Sequence, residues 1–100
     1  MNKPTIEERL TLARRGAALL YAQGAKRIWI FGALAMGCPP DEKSDLDYIV
    51  DGLTPQQIYR STRELNQILD CKVDLVDMRT TPHFFRPHVL RTRMLLPREP

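Results

Sequence analysis

The run Asp45-Leu46-Asp47-Tyr48-Ile49-Val50 sets two acids two residues apart, with apolar side chains between and after them. Successive side chains of a strand point to opposite faces. A strand here therefore shows Asp45 and Asp47 on one face and buries Leu46, Tyr48 and Val50 on the other. Residues 72–78 alternate in the same way, with Asp74 between Val73 and Leu75. If the two runs are neighbouring strands, Asp45, Asp47 and Asp74 converge on one open sheet face.

The flanking segments supply the rest of a mixed α/β (α+β) domain. Thr5 and Glu8 form a capping-box pattern. Ile6, Leu10, Ala13, Ala17 and Leu20 then recur at helical spacing, and Gly24 marks the stop. Gly16 interrupts this helix and weakens it by up to about 1 kcal/mol against alanine. Residues 28–31 form a short β-favouring run. Residues 37–44 carry glycine, two prolines and charges, and read as a loop. The strand at 46–50 follows. Thr54 and Pro55 give an N-cap with proline at the first helical position. Ile58, Leu65, Ile68 and Leu69 supply the second helix's apolar face, and the strand at 72–78 comes next. In the tail, residues 82–90 fit a short helix and residues 93–96 a short edge strand. The first two strands are joined by a loop, so they should be antiparallel neighbours. The expected architecture is a small mixed sheet with helices on one face.

At 100 residues the chain suits one domain, with a motif core at 26–78 and a basic segment at 79–100. A domain of this size has little stability to spare, so association with a partner would help it. Hydrophobic residues make up 43%, too many for a disordered chain. The net charge of +3 is unevenly spread. Acids concentrate between Asp41 and Asp51, whereas Arg79, Arg86, Arg91, Arg93 and Arg98 face only Glu99 in the tail. Such a tail is a solvated surface or an attractor for phosphates or an acidic protein. Cys38 and Cys71 form no C-x-x-C motif and suggest reduced cytoplasmic thiols. Cys71, beside an apolar run, reads as a small packing residue. Together with His83 and His88 the cysteines match no compact zinc pattern. The N-terminus has no apolar core of a signal peptide. No apolar run approaches the ~20 residues of a membrane span. Trp29 and Tyr48 read as core residues, and His83 and His88 as surface residues.

Three clustered carboxylates repel one another unless a cation neutralises them. Mg²⁺ takes hard oxygen ligands, commonly one or two carboxylates plus substrate phosphates. Two such ions can clamp an in-line displacement at phosphorus.

Taken together, residues 29–37 (Trp29-Ile30-Phe31-Gly32-Ala33-Leu34-Ala35-Met36-Gly37), Ser44-Asp45-Leu46-Asp47 and Val73-Asp74-Leu75-Val76 resemble the minimal nucleotidyltransferase family. That family belongs to the DNA polymerase β-like nucleotidyltransferase superfamily. Its pattern is a strand ending in F-G-S-x-A-x-G, a loop, S-D-x-D, a helix, and a strand bearing a third Asp. The resemblance spans roughly residues 5–78. It implies that Asp45, Asp47 and Asp74 are catalytic and hold Mg²⁺, as two ions. Asp74 would also accept the proton of the attacking hydroxyl. Gly32, Ala33, Gly37 and Ser44 would meet the nucleotide, a nucleoside triphosphate such as ATP. The implied reaction moves a nucleoside monophosphate to a hydroxyl and releases pyrophosphate.

Two positions depart from the pattern. Ala33 stands where the family has serine, which removes a hydrogen bond to a charged group worth about 1.5–3 kcal/mol. Met36 stands where many members have arginine. The metal half of the site is intact and the phosphate-cradling half is altered. Small stand-alone members are often cytoplasmic antitoxins paired with a HEPN-domain ribonuclease toxin, and some add AMP to a tyrosine of that toxin. The resemblance therefore implies a HEPN-type partner or another protein acceptor, with RNA as a further acceptor and oligomerisation through the partner. Two other readings remain: a non-catalytic subunit that neutralises a partner by covering it, and an RNA-binding module using the arginine-rich tail. The tail lacks an aromatic stacking series, which makes the last the weakest.

Overall fold

The computed structural model describes residues 5–31, 45–80, 87 and 91–98. In chain order the elements are α1 (Ile6–Ala22), β1 (Arg27–Phe31), β2 (Leu46–Asp51), α2 (Pro55–Ile68), β3 (Val73–Asp77) and β4 (Met94–Leu96). Both helices open on complete capping boxes. The Thr5 hydroxyl accepts from the Glu8 N–H and the Glu8 side chain accepts from the Thr5 N–H. Thr54 and Gln57 repeat this at α2, with Pro55 in the first turn. Just past the end of α1, Gly24 has φ +109°, a conformation that costs glycine nothing.

The four strands are ordered β3-β2-β1-β4. β1 runs antiparallel to both β2 and β4, while β2 and β3 are parallel, joined by α2. The short segment at 93–96 is thus an edge strand, as its length and following proline suggest. In the β1–β2 hairpin Phe31 faces Asp47, and in the β2–β3 pair Asp47 faces Asp74.

Both helices cover one sheet face. Ala13, Ala17 and Leu20 of α1 and Leu65 of α2 pack on Ile28, Ile30, Leu46, Tyr48, Val50 and Val73. The buried Tyr48 hydroxyl donates to the Ala13 carbonyl at 2.8 Å. This contact explains Gly16. A Cβ there would lie 2.5 Å from the Tyr48 oxygen, so the residue that weakens the isolated helix lets it sit on the sheet. The helix faces differ from expectation in other places. Arg9 is buried, whereas Ile6 and Leu10 are half-exposed. In α2, Ser61 is fully buried and its hydroxyl donates to the Gln23 side chain at 2.7 Å. Ile68, counted in the apolar face of α2, is 47% exposed. Cys71 is half-buried and packs against the core, as expected.

The expected helix at 82–90 lies almost wholly outside the described residues, although Pro87, Arg91 and Thr92 have helical backbone. Two tail arginines are engaged within the fold. Arg79 pairs with Asp77 at 3.1 Å and donates to the Leu53 carbonyl. Arg93 lies over the Trp29 ring, 4.3 Å from its centroid. No described helix is long and apolar enough to cross a membrane.

Candidate metal centre

The sheet face opposite the helices carries the acids. Asp47 and Asp74 sit side by side because they are register partners in the parallel β2–β3 pair. Asp45, two residues before Asp47, falls on the same face. A carboxylate oxygen from each of Asp45, Asp47 and Asp74 lies within 4.8 Å of the other two. The three residues singled out from the alternation are thus brought together, as the expected pairing requires.

The backbone around the cluster is pinned. The Leu46 N–H donates to the Lys72 carbonyl at 2.9 Å, extending the β2–β3 ladder beside Asp45. The Asn66 side chain of α2 brackets Val73, donating to its carbonyl at 3.2 Å and accepting from its N–H at 3.1 Å. Asp74 is therefore fixed from the next residue on both backbone groups. Asn66 has no signature in the sequence, because its role depends on how α2 packs on β3.

The electrostatics are those of a site waiting for positive charge. Burial pushes the Asp47 carboxyl up to about 6, with the charges of Asp74 and Asp45 adding to the rise and Lys72 opposing it. The Lys72 ammonium lies 3.6 Å from an Asp45 carboxylate oxygen. Lys72 stands two residues before Asp74 and so shares its face by the same alternation, a signal the carboxylate pattern alone does not include.

Hard carboxylate oxygens this close together suit a small divalent cation such as Mg²⁺. With a hydroxyl and a polyphosphate at hand, such an arrangement can support displacement at phosphorus. Among the expected nucleotide-binding residues, Gly32, Ala33, Gly37 and Ser44 lie outside the described residues, as do Met36, Cys38, His83, His88 and Arg86. Chain continuity still starts the segment from Gly32 directly after Phe31, which pairs with Asp47.

Trp29 is buried, as expected, but on the acidic face rather than under the helices. It packs with Ile49 in a second small cluster flanked by Phe31 and Met78. Arg93 and Arg27 approach its ring, at 4.3 and 5.4 Å from the centroid.

No protein-family model matches the chain, and no curated protein matches it in sequence. Solved structures do match. A protein assigned as a minimal nucleotidyltransferase is 29% identical and superposes with a TM-score of 0.75, over 91% of this chain and 95% of that one. A toxin–antitoxin complex with AMP-PNP contains a chain 23% identical, with a TM-score of 0.71, over 86% of this chain and 73% of that one. A complex of tri-AMPylated Shewanella oneidensis HEPN toxin with its MNT antitoxin contains one 21% identical, with a TM-score of 0.66, over 89% and 72%. The last two speak to fold alone. The family resemblance read from the motifs is therefore matched by the architecture: this is a minimal nucleotidyltransferase fold.

Proposed function

We propose that this chain, built on the minimal nucleotidyltransferase fold, is a Mg²⁺-dependent nucleotidyltransferase. It transfers a nucleoside monophosphate, AMP from ATP in the first instance, to a hydroxyl of a partner protein. The partner is a HEPN-type toxin and this chain its cytoplasmic antitoxin; an RNA end is the alternative acceptor. The observation that carries the proposal is the convergence of Asp45, Asp47 and Asp74 within 4.8 Å on the sheet face opposite the helices.

Asp45 and Asp47 hold the cation, with Asp74 completing the set. When bound, Mg²⁺ supplies charge neutralisation and orientation of the phosphates. The Asp74 carboxylate accepts the proton of the acceptor hydroxyl. The hydroxyl oxygen bonds to the α-phosphorus as the α–β bridging P–O bond breaks. Pyrophosphate leaves with that electron pair. Gly32, Ala33, Gly37 and Ser44 form the nucleotide side. Gly32, without a Cβ, admits the triphosphate close to the backbone. The test is transfer of labelled nucleotide from ATP to a co-purified partner. Wild-type protein should label the partner and Asp45→Asn should not. Labelling that persists undiminished in Asp45→Asn would reject the proposal.

A second reading keeps the fold and discards the chemistry: a subunit that neutralises its partner by binding. Ala33 and Met36 favour it, because both remove phosphate contacts. The outer side of α2 gives it a surface, with Tyr59 68% exposed above a groove lined by Ile58, Thr62 and Leu75. Calorimetry separates the two readings. Tight partner binding without any Mg²⁺–ATP binding would favour the second.

A further inference from the structure

We infer that Lys72 is a resident counter-ion of the carboxylate cluster, occupying its field in the metal-free protein and swinging out when a divalent cation enters. The inference rests on reading Asp45, Asp47 and Asp74 as a metal centre.

Three observations carry it. The Lys72 ammonium lies 3.6 Å from Asp45, and its charge acts on Asp47 as well. The backbone that bears it is fixed: the Lys72 carbonyl accepts from the Leu46 N–H at 2.9 Å, and Asn66 grips both backbone groups of Val73. The side chain is not fixed. It is 67% exposed, so its flexible stem can carry the charge away from the cluster with no change in the strand. A rigid root and a mobile head are what a displaceable counter-ion needs.

The physical consequence is competition. One ammonium against three carboxylates leaves the cluster net negative, so it relieves part of the repulsion without neutralising it. An entering dication must work against the ammonium or expel it. The cluster thus avoids the full cost of its own repulsion while empty, and gives up some metal affinity in return. Once displaced, the ammonium stands at the sheet end where the segment from Gly32 also begins.

The test uses the full chain and three proteins: wild type, Lys72→Met and Lys72→Arg. Mn²⁺ and Mg²⁺ are titrated calorimetrically, and melting is followed with chelator and with saturating Mn²⁺. Lys72→Met should bind Mn²⁺ about three- to tenfold more tightly than wild type, the scale expected from removing one nearby like charge in a largely solvated site. The gain should shrink as salt is raised. Lys72→Arg should behave as wild type. With chelator Lys72→Met should melt below wild type, and with saturating Mn²⁺ the two should melt together. Equal or weaker Mn²⁺ binding by Lys72→Met, with wild type binding normally, overturns the role of Lys72 and leaves the metal centre standing. Folded wild type that binds neither cation overturns both.

Discussion

The two faces of this sheet are built on opposite rules, and two aspartates on them show the difference. Asp77 lies on the helix-covered face opposite Val50, and Asp47 lies on the open face opposite Asp74. Asp77 is almost fully buried, yet hydrogen bonds from Arg79 hold its carboxyl below the usual range. Asp47 has acids for neighbours instead, and burial, reinforced by the charges of Asp74 and Asp45, raises its carboxyl to about 6. One face is satisfied from within the chain. The other gathers like charges that Lys72 offsets only in part, and that a cation from outside the chain would neutralise.

The largest effect should come from neutralising the open face. Asp47→Asn keeps the size of the side chain and removes one charge. Transfer to the partner should fall about 100-fold or more, as for loss of a central electrostatic group. The metal-free domain should be at least as stable as wild type, because repulsion is relieved. Kinetics and chelator-treated melts on the same preparations check both halves. Lost activity together with a large loss of stability would mean that Asp47 is structural, and the contrast between the faces would be broken.

On the covered face the corresponding change should act on stability. Gly16→Ala gains up to about 1 kcal/mol of helix propensity but drives a methyl group into the Tyr48 hydroxyl. Overpacking of this kind costs about 1–3 kcal/mol, so net destabilisation is expected by urea unfolding. Tyr48→Phe alone should also destabilise, by about 0.5–1.5 kcal/mol, by removing the hydroxyl's hydrogen bond to the Ala13 carbonyl. In the double variant the penalties should be less than additive, since the Phe ring leaves room for the new methyl. Strict additivity would mean that Gly16 and Tyr48 do not share a packing site.

How far the sequence shows these two faces follows from the range of the forces involved. Alternation and capping are local, so Asp45, Asp47 and Asp74, the inward Tyr48, the Thr5–Glu8 capping box and the Thr54 N-cap are legible from spacing alone. The β2–β3 pairing is legible only conditionally, because register between strands separated by α2 is set by tertiary packing. The same limit hides Arg9 and Ser61, polar residues buried by where the helices come to rest. It also hides Gly16, whose local cost is plain and whose partner, 32 positions along the chain, is not. Asn66 and the Arg93–Trp29 contact belong to the same class. The nucleotide-facing residues Gly32, Ala33, Gly37 and Ser44 stand on motif resemblance.

The pH dependence of stability should separate the two acids by window. The folded-state value for Asp47, about 6, lies above its ordinary 3.8. Between those values the folded metal-free protein binds more protons than the unfolded chain. This group's contribution therefore makes stability fall as pH rises from about 4 to 6. The slope should amount to about 1 kcal/mol, discounted because the group is partly solvated. Asp77 is shifted the other way. Its contribution is present above the ordinary 3.8 and is lost only as pH falls below it. Saturating Mg²⁺ should abolish the Asp47 slope and leave the Asp77 limb unchanged. Chemical denaturation at a series of pH values, with and without Mg²⁺, gives both limbs. A rising slope from pH 4 to 6 in the metal-free protein would contradict the assignment of Asp47.

The smallest expected effect tests how Trp29 is covered by arginine on the acidic face. Arg93 stacks on the indole at 4.3 Å and directs an N–H toward the Met78 sulfur at 3.9 Å. Arg27, farther from the ring at 5.4 Å, is paired with Asp51 at 2.9 Å. A guanidinium on an indole contributes about 0.5–1 kcal/mol at an exposed site and also covers the ring with its stem. Arg93→Met keeps an apolar stem and removes the charge. It should cost about 0.5–1 kcal/mol by urea unfolding, with Arg93→Lys between it and wild type. Because Trp29 is the sole tryptophan, its fluorescence reports on the same contact. Its emission should shift in Arg93→Met, and unfolding followed by fluorescence should still coincide with unfolding followed by circular dichroism. An Arg93→Met domain as stable as wild type would mean that apolar cover suffices on this face too. The two faces would then differ only around the carboxylates.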